Sequence, residues 1–292
     1  MRPRYVLILI ALLLSMTVSV VAQNQPESTP EPEATAAPEA TAEPEATVEP
    51  EVTPAANDVQ LLVPQVLNTY PHDPTAFTQG LLLSDGVFYE STGRYGQSTL
   101  RKVDPETGEV QQSISIDDTY FAEGLARVDD RLIQLTWKAG KAFVYDVNTF
   151  DLLNTFDYQG EGWGLCYDGD YLYMSDGSPT IFIRDPETFN VVGSFTVTLT
   201  GSGVPDLNEL ECVGDDIWAN VWQTDFIVRF DKVDGIISAV VYAPNLLNAQ
   251  QAVGADVLNG IAYNPDHDTF YITGKLWPVL YEVHFVEYQG NR

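Results

Sequence analysis

The chain has 292 residues and carries 42 Asp and Glu against 14 Lys and Arg, which gives a formal charge of −28. This charge excludes nucleic acid as a partner, because phosphate backbones are bound by a surplus of Lys and Arg. Two cysteines exclude a disulfide scaffold and a structural zinc cluster. The hydrophobic fraction of 45%, with 21 Gly and 18 Pro, favours one large domain rich in β-structure.

The first 22 residues have the pattern of a secretory signal. Arg2 and Arg4 precede an apolar run from Tyr5 to Val21, and the run ends in small residues. We therefore expect cleavage after residue 22 and a secreted or cell-envelope protein with no membrane span after cleavage. An uncleaved anchor helix is the alternative, although the run is short for a span of about 20 apolar residues.

Residues 23–57 are predicted to be a disordered linker. They consist almost entirely of Glu, Pro, Ala and Thr, and the string Pro-Glu-Ala-Thr occurs three times. Such a segment cannot bury a core and repels itself electrostatically, so it behaves as an extended tether. The folded domain is predicted over residues 58–292.

This domain contains a fivefold internal repeat. Each copy opens with a motif that ends in Leu or Ile, passes through an Asp- or Gly-rich turn into an alternating strand, and continues into a third strand. The openings are Phe77–Leu81, Phe121–Leu125, Glu161–Leu165, Asp206–Leu210 and Val257–Ile261. Repeats of about 40 to 50 residues with four strands each are the signature of a β-propeller. We predict an all-β, five-bladed propeller.

The fifth repeat is one strand short, because little chain remains after its third strand. We predict that Val59–Leu67 supplies the outermost strand of the fifth blade. This pairing would close the ring and remove the free sheet edges that an open array exposes. A loose N-terminal arm is the alternative.

Equivalent positions of the repeats meet at the axis of a propeller, because the first strand of each blade lines the central channel. Two residues before the shared Leu or Ile, the repeats carry one carboxylate, three amides and one indole: Gln79, Glu123, Trp163, Asn208 and Asn259. Donors and acceptors thus surround a single ionisable group, which favours a functional site. Polar lining of a water-filled channel is the alternative.

The second strands end in a further set of polar and aromatic residues: Trp137, Asp176, Trp222 and Lys275. We interpret Trp137 as a pocket wall, because it lies in a polar, Gly-containing stretch. The strings Thr92-Gly-Arg94 and Thr273-Gly-Lys275 match each other. This match predicts a base at equivalent places in blades one and five.

The remaining reactive residue types give no separate site. His72, His267 and His284 match no catalytic triad and no metal-ligand spacing. Cys166 and Cys212 follow the repeat Leu in blades three and four. A disulfide between them and a pair of buried thiols are both open.

Several motifs together closely resemble the plant and bacterial type of glutaminyl-peptide cyclotransferase: Tyr70–Leu81, Tyr89–Ser98, Phe121–Leu125, Gln134–Trp137, Leu207–Glu211, Trp218–Trp222 and Leu258–Ala262. The resemblance runs through all five repeats. It implies a five-bladed propeller that acts as an acyltransferase. The implied reaction converts the N-terminal glutamine of peptides or proteins to pyroglutamate and releases ammonia.

The resemblance also implies a pocket at the channel mouth, with Glu123 as general acid and base. The other implied catalytic residues are Lys275, Asn208 and Gln79, and the implied substrate-binding residues are Phe77, Phe121, Trp137, Trp163 and Trp222. One carboxylate can accept a proton from the attacking amine and deliver one to the departing nitrogen. We expect no cofactor, no metal, a monomer, and peptides or proteins with N-terminal Gln as partners.

Two other functions stay open. In a metal-dependent, lactonase-like hydrolase, Glu123, Asn208, Asn259 and Asp176 would bind a hard cation through oxygen. A lysine near the carboxylate would argue against that reading, since a cation and a metal compete for the same charge. A non-catalytic binding propeller of the cell envelope is the second alternative, and the carboxylate at Glu123 favours an enzyme over it.

Overall fold

The structure, a computed structural model, describes residues 59–290. The predicted secretory signal (1–22) and linker (23–57) lie outside the described residues. Twenty-two strands and no helix occur in the described range, which confirms the predicted all-β class. Accordingly, those residues contain no helix long and apolar enough to cross a membrane.

The first three repeats each form a separate four-stranded antiparallel sheet in chain order. The first sheet consists of β2 (Thr78–Ser84), β3 (Val87–Thr92), β4 (Thr99–Val103) and β5 (Val110–Ser115). The second consists of β6 (Ala122–Val128), β7 (Arg131–Thr136), β8 (Lys141–Asp146) and β9 (Leu152–Asp157). The third consists of β10 (Leu165–Tyr167), β11 (Leu172–Met174), β12 (Thr180–Arg184) and β13 (Val191–Thr196), and a small hairpin follows, β14 (Thr198–Leu199) and β15 (Ser202–Gly203).

The last two repeats join in one eight-stranded sheet, in the order β16-β17-β18-β19-β1-β22-β21-β20. Its first half is β16 (Leu207–Val213), β17 (Asp216–Val221), β18 (Phe226–Asp231) and β19 (Ile237–Tyr242). Its second half is β1 (Gln60–Pro71), β22 (Val279–Glu287), β21 (Thr269–Gly274) and β20 (Leu258–Asn264). The fifth repeat therefore also has four strands, but the outermost one comes from the N-terminal end of the domain.

The predicted pairing of the N-terminal strand with the last repeat is confirmed. Strand β1 runs antiparallel to β22, from Leu62 opposite Glu287 to Pro71 opposite Val279, with a bulge near Val66. It is longer than the predicted segment 59–67. Its first three residues also pair in parallel with β19 of the fourth repeat.

An aspartate turn connects the third and fourth strands in each of the first four repeats. In each, one carboxylate oxygen accepts hydrogen bonds from the backbone amides two and three residues further on. The four aspartates are Asp104, Asp146, Asp185 and Asp231. Asp is suited to such turns because its short side chain reaches its own backbone. The fifth repeat has no such Asp, and β22 continues straight to Glu287.

The apolar core lies between neighbouring sheets. Leu100 of the first sheet packs in one buried cluster with Leu132 of the second, and Leu135 of the second packs with Met174 of the third. The fifth repeat closes onto the first in the same way, through Tyr271 and Phe88, whose ring centroids lie 5.0 Å apart. Burial of apolar faces between consecutive sheets is the main stabilising contribution to such a fold.

A disulfide joins Cys166 in β10 to Cys212 in β16, with the Cα atoms 5.5 Å apart. Of the two states left open by the sequence, the structure therefore has the bonded one. The bond connects the first strands of the third and fourth repeats.

We expect the N-terminal strand to be necessary for stability. A chain that starts at residue 58 should melt at the temperature of the full chain, because it keeps all pairs of β1. A chain that starts at residue 68 loses the pairs with β19 and opens two strand edges, so it should melt lower and aggregate. Thermal unfolding with light scattering measures both properties. Equal melting and equal monodispersity of the two shortened chains would contradict a closing role for β1.

Candidate active site

A β-bulge recurs at the same place in the first strand of four repeats. In β2, β6, β16 and β20, the register with the next strand shifts just before the shared Leu or Ile. A bulge leaves extra residues unpaired and bends the strand. The shifted segments contain the predicted axial residues Gln79, Glu123, Asn208 and Asn259. In the third repeat, Trp163 lies just before β10 begins.

The backbones of these strands approach one another closely at the next position. Gly occupies this position in four repeats: Gly80, Gly124, Gly164 and Gly260. A Cβ atom on Gly124 would lie 2.6 Å from the Leu165 amide nitrogen, and one on Gly164 would lie 2.0 Å from the Asn208 carbonyl oxygen. Only a residue without a side chain permits this contact. The contact places the side chains at the preceding positions of neighbouring repeats close together.

The fourth repeat has Glu209 where the others have Gly. Its side chain is 1% exposed, and its two carboxylate oxygens accept backbone N–H bonds from Ile261 (2.9 Å) and Leu81 (3.4 Å). Burial raises the pKa of Glu209 well above its ordinary value, and Glu211 raises it further, while the two amide bonds lower it. Glu209 thus connects the fourth repeat to the fifth and the first.

Glu123 is buried in the centre of the predicted site. The amide nitrogen of Gln79 donates a hydrogen bond of 3.2 Å to its Oε1 atom. Burial raises the pKa of Glu123 well above its ordinary value; the Lys275 ammonium opposes this rise and the Glu161 carboxylate adds to it. A carboxyl group with a raised pKa can exchange protons near neutral pH, as a general acid and base requires.

Lys275 contributes the positive charge of the site. Its side chain is 3% exposed, and its Nζ atom lies 5.1 Å from the centroid of the Phe77 ring. Burial lowers the pKa of Lys275, although the carboxylates of Glu123 and Asp256 raise it. The sequence prediction of Glu123, Gln79 and Lys275 as neighbours therefore agrees with the structure.

The predicted equivalence of Arg94 and Lys275 is wrong by one residue. The pairing of Thr78 with Thr92 corresponds to that of Leu258 with Gly274, so the position of Lys275 is taken by Gly93 in the first repeat. A Cβ on Gly93 would lie 2.2 Å from the Phe121 ring, which explains the glycine. Arg94 still reaches the site, because its guanidinium carbon lies 4.5 Å from the centroid of the Phe77 ring.

The five predicted substrate-binding aromatics form two groups. Phe121 contacts Phe77 and Trp137 edge to face, with centroid distances of 6.2 and 5.6 Å. Trp163 contacts Trp222 in the same manner at 5.4 Å. Edge-to-face contacts hold the ring planes of each group at steep angles to one another.

The two axial asparagines carry unused acceptors. Among the described residues, no hydrogen-bond donor reaches the Oδ1 atom of Asn208 or of Asn259, and both atoms are buried. The amide nitrogen of Asn259 donates to the Thr78 carbonyl oxygen at 3.0 Å. An unpaired buried acceptor costs free energy, so such atoms mark places where a ligand can donate.

Asp176 follows strand β11 of the third repeat. Its carboxylate accepts the backbone N–H of Ser178 at 3.0 Å, within its own loop. Over residues 59–290, no group of three or more His, Cys, Asp and Glu side chains is arranged to hold a metal ion.

Comparison with known proteins identifies the family. Residues 35–285 match the family model of glutamine cyclotransferase. The chain belongs to the glutamine cyclotransferase family. It is 42% identical over 224 residues to the glutaminyl-peptide cyclotransferase of Arabidopsis thaliana. The aligned region covers 75% of this chain and 70% of the relative. The predicted resemblance is thereby confirmed.

A solved structure of the same family supports the fold. The crystal structure of Myxococcus xanthus glutaminyl cyclase matches 80% of this chain and 100% of its own, with a TM-score of 0.72 and 36% sequence identity. Similarity of this degree means that the strands and their connections follow the same path in most of both molecules.

Sequence reasoning missed Glu161, which reaches the pocket of this glutamine cyclotransferase family member. Its Oε2 atom accepts the indole N–H bonds of both Trp137 (2.7 Å) and Trp163 (3.0 Å). A signal was present, because Glu161 occupies the repeat position of Phe77 and Phe121. Among the three pocket indoles, only that of Trp222 has no acceptor within the described part of the chain.

Sequence reasoning also missed the support that His72 gives. Its Nδ1 atom lies 2.7 Å from the Trp277 carbonyl oxygen, in the turn after Lys275, and its Nε2 atom lies 3.0 Å from the buried Glu90. Burial lowers the pKa of His72, but the Glu90 carboxylate and the Trp277 carbonyl together raise it, so the pKa of His72 lies above its ordinary value. Glu90 also accepts a bond from Thr78, which precedes Gln79. The network therefore holds both the turn after Lys275 and the strand that carries Gln79.

We expect Glu209→Ala to lower stability, because it leaves the buried amides of Leu81 and Ile261 without an acceptor. Each unsatisfied buried amide costs about 1–3 kcal/mol. Glu211→Ala is the matched control, since it removes the acceptor of one amide, that of Tyr263. Chemical denaturation should show that the free energy of unfolding decreases from wild type to Glu211→Ala and further to Glu209→Ala. A Glu209→Ala protein as stable as wild type would show that this carboxylate does not connect the repeats.

Proposed function

We propose that this pocket converts the N-terminal glutamine of peptides or proteins to pyroglutamate with release of ammonia. The observation that carries the proposal is the buried Glu123 carboxyl, bonded to Gln79 and close to the Lys275 charge, in a chain of the glutamine cyclotransferase family. The direct test is incubation with a Gln-initiated dipeptide while ammonia and the cyclised product are measured.

The proposed architecture around this pocket is a closed, five-bladed β-propeller. Its support is the presence of five four-stranded units, the last completed by β1, and the packing of the fifth unit onto the first. In such a ring the bulged first strands face the axis, so the site lies at one mouth of the channel.

The first chemical step is attack of the substrate α-amine on the γ-carbonyl carbon of the same glutamine. A new carbon–nitrogen bond closes the five-membered ring, and the amine loses a proton to Glu123. The raised pKa of Glu123 makes its carboxylate a stronger base than an exposed one. Holding the amine close to the carbonyl also supplies rate, because the nucleophile is part of the same molecule.

The second step breaks the bond to the side-chain nitrogen. The tetrahedral intermediate carries a negative oxygen, for which the Lys275 ammonium is the donor. The Trp222 indole N–H donates to a carbonyl oxygen of the bound peptide. Glu123 returns its proton to the departing nitrogen, so ammonia leaves and the γ-carbonyl is restored. The unpartnered Oδ1 of Asn208 is an acceptor for the amide N–H of the substrate. Atoms balance, since the products are the pyroglutamyl peptide and ammonia.

The two aromatic groups bind the substrate side chain and the following peptide. Phe77, Phe121 and Trp137 form one wall, and Trp163 with Trp222 forms the other. We propose that the enzyme works as an acyltransferase without a metal or a cofactor, as a monomer. A signal at residues 1–22 would place it outside the cytoplasmic membrane.

Replacement of the proton carrier separates turnover from binding. Glu123→Gln keeps the shape and the bond partner of the side chain but carries no proton, so we expect kcat to fall by about 10²-fold or more with little change in KM. Trp222→Phe removes one donor and some contact area but no proton carrier, so it should mainly raise KM. Steady-state kinetics with a Gln-initiated peptide measures both constants.

Retention of most of the turnover by Glu123→Gln would assign the proton to another group. Glu209, at the axial Gly position of the fourth repeat, and Asp176, after strand β11, are further carboxylates of the repeats. Their carboxylates already accept backbone amides, so a Glu123→Gln protein with wild-type kcat would contradict the mechanism as a whole.

We expect chelators to leave the activity intact. Every step of the proposed reaction is accounted for by proton transfer through Glu123 and by hydrogen bonds that Lys275 and Trp222 donate, so no step needs a metal. The measurement is ammonia release after dialysis against a strong chelator, with a zinc-dependent peptidase treated in parallel as the control. Full loss of activity, restored by zinc or calcium, would favour the lactonase-like alternative instead.

A further inference from the structure

Glu161 is the one carboxylate that contacts two walls of the pocket. It lies just before Trp163, and its Oε2 atom accepts the indole N–H of that residue and of Trp137 from the second repeat. Two donors from different repeats thus share a single oxygen atom. A charged acceptor forms stronger hydrogen bonds than a neutral one, so this oxygen fixes both indoles.

The second oxygen of Glu161 faces a cation. The Lys138 ammonium lies 3.5 Å from Oε1 and 3.8 Å from the centroid of the Trp137 ring. Partial burial raises the pKa of Glu161, but the two indole bonds and Lys138 lower it by more. Glu161 is therefore ionised at neutral pH, although its side chain remains 38% exposed.

The two indoles are also held by packing that depends on their orientation. Trp137 contacts the Phe121 ring, and Trp163 lies over Gly177, where a Cβ would approach the indole to 2.6 Å. Rotation of either indole would break one of these contacts. A single acceptor on Glu161 therefore fixes the orientation of two pocket indoles from different repeats.

The charge of Glu161 also acts on the proton carrier. It raises the pKa of Glu123, in the direction opposite to Lys275. The charged groups around this region are Lys138 after β7, Glu123 in β6 and Lys275 after β21. Removal of the Glu161 charge leaves burial as the remaining effect that raises the pKa of Glu123, so Glu123 becomes easier to ionise.

Resting on the proposed function, we propose that Glu161 is a positioning residue of the active site. Its carboxylate fixes the orientation of Trp137 and Trp163 and, by its negative charge, holds back ionisation of Glu123. It touches no reacting atom and acts through its neighbours.

Two substitutions separate the two effects. Glu161→Gln keeps an oxygen for the indoles but removes the charge, so the acidic limb of the kcat profile should move to lower pH by about half a pH unit. Glu161→Leu removes the acceptor as well, so KM should rise about tenfold in addition. Near-UV circular dichroism, which reports on the surroundings of tryptophan, should change for Glu161→Leu and stay as in wild type for Glu161→Gln.

Two controls test the location of the charge. Lys138→Gln removes the cation beside Glu161 and should shift the acidic limb to higher pH. Asp157→Asn removes a carboxylate that pairs with Lys141 at the surface of the second repeat, and it should leave the acidic limb of the kcat profile where it is in wild type. A Glu161→Gln profile identical to wild type, or a Glu161→Leu protein with unchanged KM and unchanged circular dichroism, would overturn the proposal.

Failure of the proposed function gives a different result. A wild-type protein that releases no ammonia from any Gln-initiated peptide would reject the reaction. The circular dichroism of Glu161→Leu would still show whether the carboxylate orients the indoles.

Discussion

The first strands of neighbouring repeats touch through their backbones, and the rest of the structure depends on this contact. A Cβ on Gly80 would lie 2.6 Å from the Leu125 amide nitrogen, and the equivalent positions of the next two repeats are as close. Such spacing leaves no room for water between the strands, so every polar group near the axis must find a protein partner or a ligand. Glu209 is the partner of two such groups, because its carboxylate accepts hydrogen bonds from backbone amides of the first and fifth repeats.

The same dry surroundings explain the protonation of the site. Glu123 and Lys275 attract each other, yet burial raises the pKa of the acid and lowers the pKa of the base. Desolvation of an ion costs several kcal/mol in a protein interior, and one opposite charge does not fully offset it. Burial therefore disfavours the charged form of both groups. In the proposed reaction, a proton passes from the substrate amine to Glu123 and onward to the leaving nitrogen.

The sequence predicted those parts of the molecule that depend on repetition. The five openings align by a shared Leu or Ile, so the axial set around Glu123 and the missing strand of the last repeat followed from counting. Parts that depend on distances between repeats were not predicted. Glu161 bonds to an indole of another repeat, and His72 pairs with Glu90 across a turn. The predicted equivalence of Arg94 and Lys275 was wrong by one residue, because it matched identical residue types in the two sequence strings. The strand register places Gly93 at the position equivalent to Lys275, against the Phe121 ring.

Two neighbouring positions in the opening motif of each repeat differ in what limits their residue type. Two residues before the Leu or Ile, the side chain lies at a bulge in four repeats, and the five repeats carry an amide, a carboxylate or an indole there. One residue before it, backbone contact requires Gly in the first three repeats, and the fourth repeat has Glu209, whose carboxylate accepts amides of the first and fifth repeats. The residue type at the first position can therefore differ between repeats, although Gln79 and Asn259 also donate hydrogen bonds to a neighbouring repeat from this position. In the first three repeats the second position cannot vary in this way, because a Cβ atom on Gly80, Gly124 or Gly164 would lie 2.6 Å or less from a backbone atom of the next repeat.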